Sequence, residues 1–152
     1  MNELVVALGW VGIYSPMAIG AIGSSIGCAL AGAAACGAML ETEGGYGRFI
    51  GLTALPSSFV IYGIVVMFTL NREVTPENAG ALFGIGFFAG LAFLYAGIYQ
   101  GRSCADAINA AKEKPEIFGL SIAPAAIIEG FAVFAFVFAL VVSAGIPAVG
   151  GS

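Results

Sequence analysis

Four long stretches of this chain are almost free of charge. They run from Glu3 to Glu41, from Arg48 to Arg72, from Glu77 to Arg102, and from Ile117 to the C-terminus, and Glu129 is the only charged residue inside any of them. Each exceeds the roughly 20 apolar residues that a helix needs to cross a bilayer. The pattern predicts four transmembrane helices. The third is expected to run through Arg102 and Asp106 to about Lys112, with those two residues pairing at i,i+4 on its emergent end.

The connectors are short: Glu41 to Gly47, Asn71 to Asn78 (with Thr75-Pro76 as the expected start of the third helix) and Lys112 to Glu116. Short connections make neighbouring helices antiparallel. The fold class is therefore an all-α integral membrane protein of two fused antiparallel hairpins, residues 1–72 and 73–152. Arg48, Arg102, Lys112 and Lys114 flank the first and third connectors, against Arg72 near the second. The positive-inside rule then puts the first and third connectors in the cytoplasm and both termini outside.

Of the 152 residues 60% are hydrophobic and 9% charged, against about 25% charged in a soluble domain, which excludes an ordinary soluble protein. No basic patch exists to attract nucleic acid. Cys28, Cys36 and Cys104 are odd in number, widely spaced and without a histidine in the chain, so they read as small buried hydrophobes rather than metal ligands or a disulfide framework. The N-terminus lacks a basic region, so the first segment reads as a retained span rather than a cleaved signal.

Glu129 is the residue that function must explain. A charge at mid-membrane depth costs at least ~2.5–3.5 kcal/mol, and an ionisable residue there points to ion or proton handling. A purely structural carboxylate within a helix bundle is the bland alternative. The first helix carries Gly20, Gly23, Ser24, Gly27, Ala31, Ala34, Ala35 and Ala38 at helical spacings, and the third carries Gly86, Gly90, Gly97 and Gly101. Small faces let membrane helices approach closely, so Gly20, Gly23 and Gly27 are the expected packing seam. No strand precedes these glycines, which excludes a nucleotide-binding loop. Sliding the sequence by 72 positions lays the first hairpin on the second, pairing Phe59 with Phe131, Val65 with Val137 and Ser57 with Glu129. The chain reads as a duplicated hairpin in which only one half keeps a carboxylate.

Leu55-Pro56-Ser57-Ser58-Phe59-Val60-Ile61-Tyr62-Gly63, the Gly97 to Arg102 stretch, Lys114-Pro115-Glu116 and the Glu129 helix together resemble the proteolipids of bacterial and archaeal V-type ATPases, their four-helix K-type rotor subunits. The resemblance covers nearly the whole chain. It implies a homo-oligomeric ring in a prokaryotic cell membrane, with small-residue helices inside and carboxylate helices outside. The ring turns against a stator subunit that bears a basic residue, with the central stalk of a soluble ATPase head on the cytoplasmic connectors. It also implies, in sodium-binding members, a backbone carbonyl at Leu55, a hydroxyl at Ser58, an amide at Phe59, an amide at Gln100 and the carboxylate at Glu129, locked by Tyr62. Counted from the connectors, Ser58, Gln100 and Glu129 each lie about 12–15 residues in, at a similar depth of roughly 18–22 Å.

Phe59 offers no oxygen, and its ring is expected where a fifth ligand would sit. The transported ion is therefore expected to be H+, with Na+ at Glu129, Gln100 and Ser58 as the alternative. Facing lipid, Glu129 is expected to be neutral, because a bare anion in hydrocarbon is too costly. No other cofactor and no nucleotide site are expected in this chain. From a different class, a small four-helix proton-coupled secondary transporter would use the same glutamate in a dimer with an aromatic-lined cavity.

Overall fold

The computed structural model describes residues 2–146; Met1 and 147–152, the end of the second hairpin, lie outside the described residues. Helix α1 spans Asn2–Glu41. The second span joins α2 (Tyr46–Ala54), a 3-10 turn at Leu55–Ser57 and α3 (Ser58–Leu70). Helix α4 spans Ala79–Glu113. The last span joins a 3-10 turn at Pro115–Ile117, α5 (Phe118–Ser121) and α6 (Ala123–Ser143). Among the described residues these are four helical spans long and apolar enough to cross a membrane. At 1.5 Å per residue α1 is about 60 Å long, twice the ~30 Å hydrocarbon thickness. The long helices α1 and α4 therefore project well beyond the bilayer.

The two ends of the bundle are fixed by polar contacts. Lys112 Nζ lies 2.8 Å from Glu41 Oε2, tying the first connector to the third. At the other end Arg72 donates to the carbonyls of Thr69 and Ile146, closing the carbonyl-rich ends of α3 and α6 with a cation. Gly9 packs against Val74, so the start of α1 lies at this end as well. The result is two antiparallel hairpins.

Helices α1 and α4 pack along their whole length, α3 lies over α1 while also touching α4 and α6, and α6 rests on α4. Among the described residues α6 has no contact with α1. Glycine makes the α1–α4 approach possible. A Cβ on Gly23 would lie 2.6 Å from Leu94 Cα, and one on Gly27 would lie 2.7 Å from Pro56 Cβ and collide with the Gly97 carbonyl. Gly86, Gly97 and Gly101 meet the backbones of Gly12, Gly23 and Gly27 in turn. Pro16 assists: it has no N–H for the Gly12 carbonyl four residues back, and that freed carbonyl faces Gly86.

The expected glycine seam is thus used inside the chain, joining its two hairpins, and Gly20 faces the backbone of Phe59. Three other expectations are corrected. Helix α4 begins at Ala79 rather than at Thr75-Pro76, because Asn78 accepts the Thr75 N–H and donates to the Glu73 carbonyl, holding a turn there. Arg102 makes no ion pair with Asp106 among the described residues; its guanidinium turns back over the Tyr99 ring, 5.3 Å from the centroid. Cys36 is exposed, while Cys104 is buried and Cys28 intermediate.

Overpacking a core that can adjust costs ~1–3 kcal/mol. At Gly27 the obstacle is backbone, so Gly27→Leu is expected to lose at least about 3 kcal/mol and to unfold the chain itself rather than only its assembly. A Cβ at Gly37 meets nothing, so Gly37→Ala is expected to stay within about 1 kcal/mol of the parent or gain slightly. Thermal unfolding in detergent, followed through the single tryptophan, Trp10, separates the two. Equal melting of both variants would contradict this packing.

Candidate functional site

The second and fourth spans both change geometry next to a proline. Pro56 cannot donate within the helix, and the chain tightens into the Leu55–Ser57 turn, where the Leu55 N–H returns to the Leu52 carbonyl. The Leu55 carbonyl in turn accepts the Ser58 N–H and, at 3.2 Å, its hydroxyl. Tyr62 lies one turn beyond Ser58 on the same face. Across from them α6 presents Glu129, five residues after Pro124 near its start, and α4 presents Gln100.

These side chains converge. Tyr62 donates its hydroxyl to Glu129 Oε1 at 2.5 Å. Ser58 Oγ lies 2.9 and 3.1 Å from the two carboxyl oxygens. Gln100 Nε2 donates to Glu129 Oε2 at 2.6 Å and to the Ala125 carbonyl at 3.1 Å. Gln100 is buried; Ser58, Tyr62 and Glu129 are half-buried. The Tyr62 ring stacks on Phe136, with centroids 5.1 Å apart, and also packs against Phe59 and Phe93, which fixes where its hydroxyl points. A cavity of about 240 Å³ adjoins the carboxylate, lined by Leu55, Ser58, Gln100, Ile122, Ala126 and Glu129.

Three donors on one carboxylate are a strong, charge-assisted arrangement. Neutralisation does not break it. A protonated Glu129 can donate to Ser58 Oγ, which then gives its own hydrogen to the Leu55 carbonyl, while Tyr62 and Gln100 keep donating. One hydroxyl rotation serves both charge states. The Gln100 orientation follows from its partners, because Ala125 O and Glu129 Oε2 both require N–H groups. Its Oε1 is left buried without a partner among the described residues, a situation that costs about 1–3 kcal/mol when nothing satisfies it.

The structure brings together Ser58, Tyr62, Gln100, Glu129 and the Leu55 carbonyl, all from one chain. Phe59 stands elsewhere than expected. One residue past Ser58 is about 100° further round the helix, so its side chain enters the core with Ile13, Val66 and Phe93 and does not line the cavity. Ser57, the repeat counterpart of Glu129, is exposed and bonded to its own Ala54 carbonyl. Two participants carried little signal in the sequence. The Ala125 carbonyl could not be singled out from an apolar run. Ser24, seen only as a member of the small-residue stripe, accepts the Val60 N–H at 3.1 Å and pins α3 to α1 beside the site.

A profile of the C subunit of ATP synthase matches residues 11–70 and again 83–142, a shift of 72 at both ends. The chain belongs to this family. Its relatives include the A-type ATP synthase subunit K of Methanocaldococcus jannaschii, 33% identical over an alignment of 138 residues that covers 88% of this chain and 62% of that protein. They also include the V-type sodium ATPase subunit K of Enterococcus hirae, 31% identical over 130 residues, 81% of this chain and 83% of that protein. The chain thus spans somewhat under two thirds of the archaeal relative. It is a V/A-type proteolipid, a multi-pass integral membrane protein.

In this proteolipid a hydrophobic carbodiimide, which reacts with protonated carboxyl groups in apolar surroundings, is expected to attach once per chain, at Glu129. Glu129→Gln should remove the label. Peptide mapping that finds it on Glu41, Glu43 or Glu113 with Glu129 unmodified would overturn the site.

Proposed function

We propose that this protein is the rotor-ring subunit of a V/A-type ATPase membrane sector and that it carries protons across the membrane on Glu129. Family membership is the reason to prefer a rotor over a small secondary transporter. The observation that carries the proton reading is the network itself: Tyr62, Ser58 and Gln100 satisfy the carboxylate, and rotation of the Ser58 hydroxyl toward Leu55 satisfies the acid. In lipid the acid form travels, because a bare anion there is prohibitively costly. Against a stator subunit a basic side chain would favour the anion, and the proton would leave through an aqueous path. Each charge moved across the potential contributes ~2.3 kcal/mol per 100 mV, which ring rotation couples to ATP synthesis or hydrolysis in a soluble head. In this reading the first and third connectors, with Arg48, Arg102, Lys112 and Lys114, face the cytoplasm of a prokaryotic cell, where the central stalk would dock, and both termini lie outside, as the positive-inside rule favours.

Sodium is the second reading, and one observation favours it. Gln100 Oε1 has no partner among the described residues, and Leu55, Ser58, Gln100 and Glu129 all border the same cavity and bring oxygen atoms. A sodium ion would use such oxygens in place of water. Phe59 does not fill that space, so it is no obstacle to a cation. The E. hirae relative is named a sodium ATPase subunit, which makes the test pointed.

Glu129→Gln is expected to reduce ATP-driven ion uptake in reconstituted vesicles to background, while the ring still assembles. Uptake near the parent rate would sink the carrier role. The ion is decided by protection: at fixed alkaline pH, millimolar sodium is expected to leave carbodiimide labelling of Glu129 unchanged, as potassium does. Strong protection by sodium alone would replace the proton with sodium and make Ser58 and Gln100 ligands.

A further inference from the structure

The chain contains its own template for meeting a second copy. By the 72-residue repeat, α4 stands to α1 as the partner subunit's α1 stands to α4, and α6 stands to α4 as α3 stands to α1. In the chain, α3 and α4 close together over Gly20: a Cβ there would lie 3.0 Å from the Phe59 carbonyl and 3.5 Å from Phe93 Cβ. One repeat later the corresponding place is open. It is an apolar groove of about 470 Å³ between α4 and α6, bordered by Ala92, Tyr95, Ala96, Tyr99 and Phe131.

We infer that this groove seats α1 of a second copy, and that the repeat sets the register. The contacts Gly12 to Gly86, Gly23 to Gly97 and Gly27 to Gly101 become Gly84 to the partner's Tyr14, Tyr95 to the partner's Ser25, and Tyr99 to the partner's Ala29. Within the chain each of these pairs is glycine against glycine. Across the seam each is an aromatic ring against a small residue, and the bulky member changes sides along the helix. Near one end α4 is small and α1 brings Tyr14. Further along α1 is small and α4 brings Tyr95 and Tyr99.

Two further facts agree. Tyr14, Tyr95 and Tyr99 are 57%, 58% and 51% exposed, whereas Gly86, Gly23 and Gly27, their repeat counterparts, are buried. A Cβ on Gly84 meets nothing in its own chain, although its counterpart Gly12 is jammed against the backbone of α4, so Gly84 has no packing role inside the chain. The consequence is a ring whose long helices are unevenly spaced. They touch backbone to backbone within a subunit and stand apart on tyrosine side chains between subunits, with Tyr95 and Tyr99 stacked on each other and Arg102 over Tyr99.

The inference rests on the ring reading and is tested separately from it. In a chain with Cys28→Ala and Cys36→Ala, the pairs Ser25→Cys with Tyr95→Cys and Tyr14→Cys with Gly84→Cys are oxidised in native membranes or bridged with a short bismaleimide. All four positions except the half-buried Gly84 are exposed in the chain, and Gly84 has room for a side chain, so the fold is spared. Most of the monomer band is expected to shift into a ladder of covalent multimers for both pairs. Val11→Cys with Tyr95→Cys is displaced by 14 residues, about 21 Å along α1, and is expected to give none. A ring-sized particle in detergent without ladders from either pair, or with a ladder from the displaced pair, overturns the seam and leaves the rotor standing. A particle of single-chain mass overturns the ring as well.

Discussion

A carboxyl group in hydrocarbon must be either neutral or fully hydrogen-bonded, and much of this structure follows from that constraint. Glu129 cannot collect three donors from its own helix. They arrive from two others: Ser58 and Tyr62 on α3 and Gln100 on α4. Bringing three helices to one carboxyl group requires α3 and α6 to flank α4 at hydrogen-bonding range. That in turn requires α4 to lie hard against α1, with α3 laid over both. The glycine seam serves the site as much as the fold, because it sets how closely the hairpins meet.

Proline at the site has a related role. At the Leu55–Ser57 turn the Leu55 carbonyl accepts both the N–H and the hydroxyl of Ser58, and Ser24 on α1 takes the Val60 N–H. The polar atoms around Glu129 are therefore satisfied by short exchanges between neighbours rather than by water. The Gln100 carbonyl oxygen is the exception, and it is where the proton and sodium readings diverge.

The helices, the hairpins and the carboxylate were legible in the sequence because membrane physics leaves so few options: long uncharged runs, short connectors and one charge within them. Gln100 was legible through the family resemblance and because its depth in the span matches that of Glu129. What the sequence did not disclose depends on rotation about a helix axis. Phe59 adjoins Ser58 in the chain yet faces the core, because 100° of helical turn separates them. Arg102 had two partners within a turn, and the Tyr99 ring rather than Asp106 holds it. The glycine stripe announced close packing without saying whether its partner lay inside the chain or in another copy. Asn78, a favoured N-cap residue, sets the start of α4 at Ala79 and was a truer signal than Thr75-Pro76.

Duplication also explains why the two seams can differ. Shifting the site by one repeat replaces Ser58 with Gly130, Tyr62 with Phe134, Gln100 with Cys28 and Glu129 with Ser57. No member of that second set can carry the charge at membrane depth, and Ser57 already satisfies itself on Ala54. With no carboxyl group to enclose there, nothing demands the backbone-to-backbone approach that the Glu129 site needs from α1 and α4. Positions that must be glycine inside the chain, Gly23 and Gly27, are free to be Tyr95 and Tyr99 one repeat later. The tight seam lies beside the charged site, and the aromatic one lies where the charge is missing.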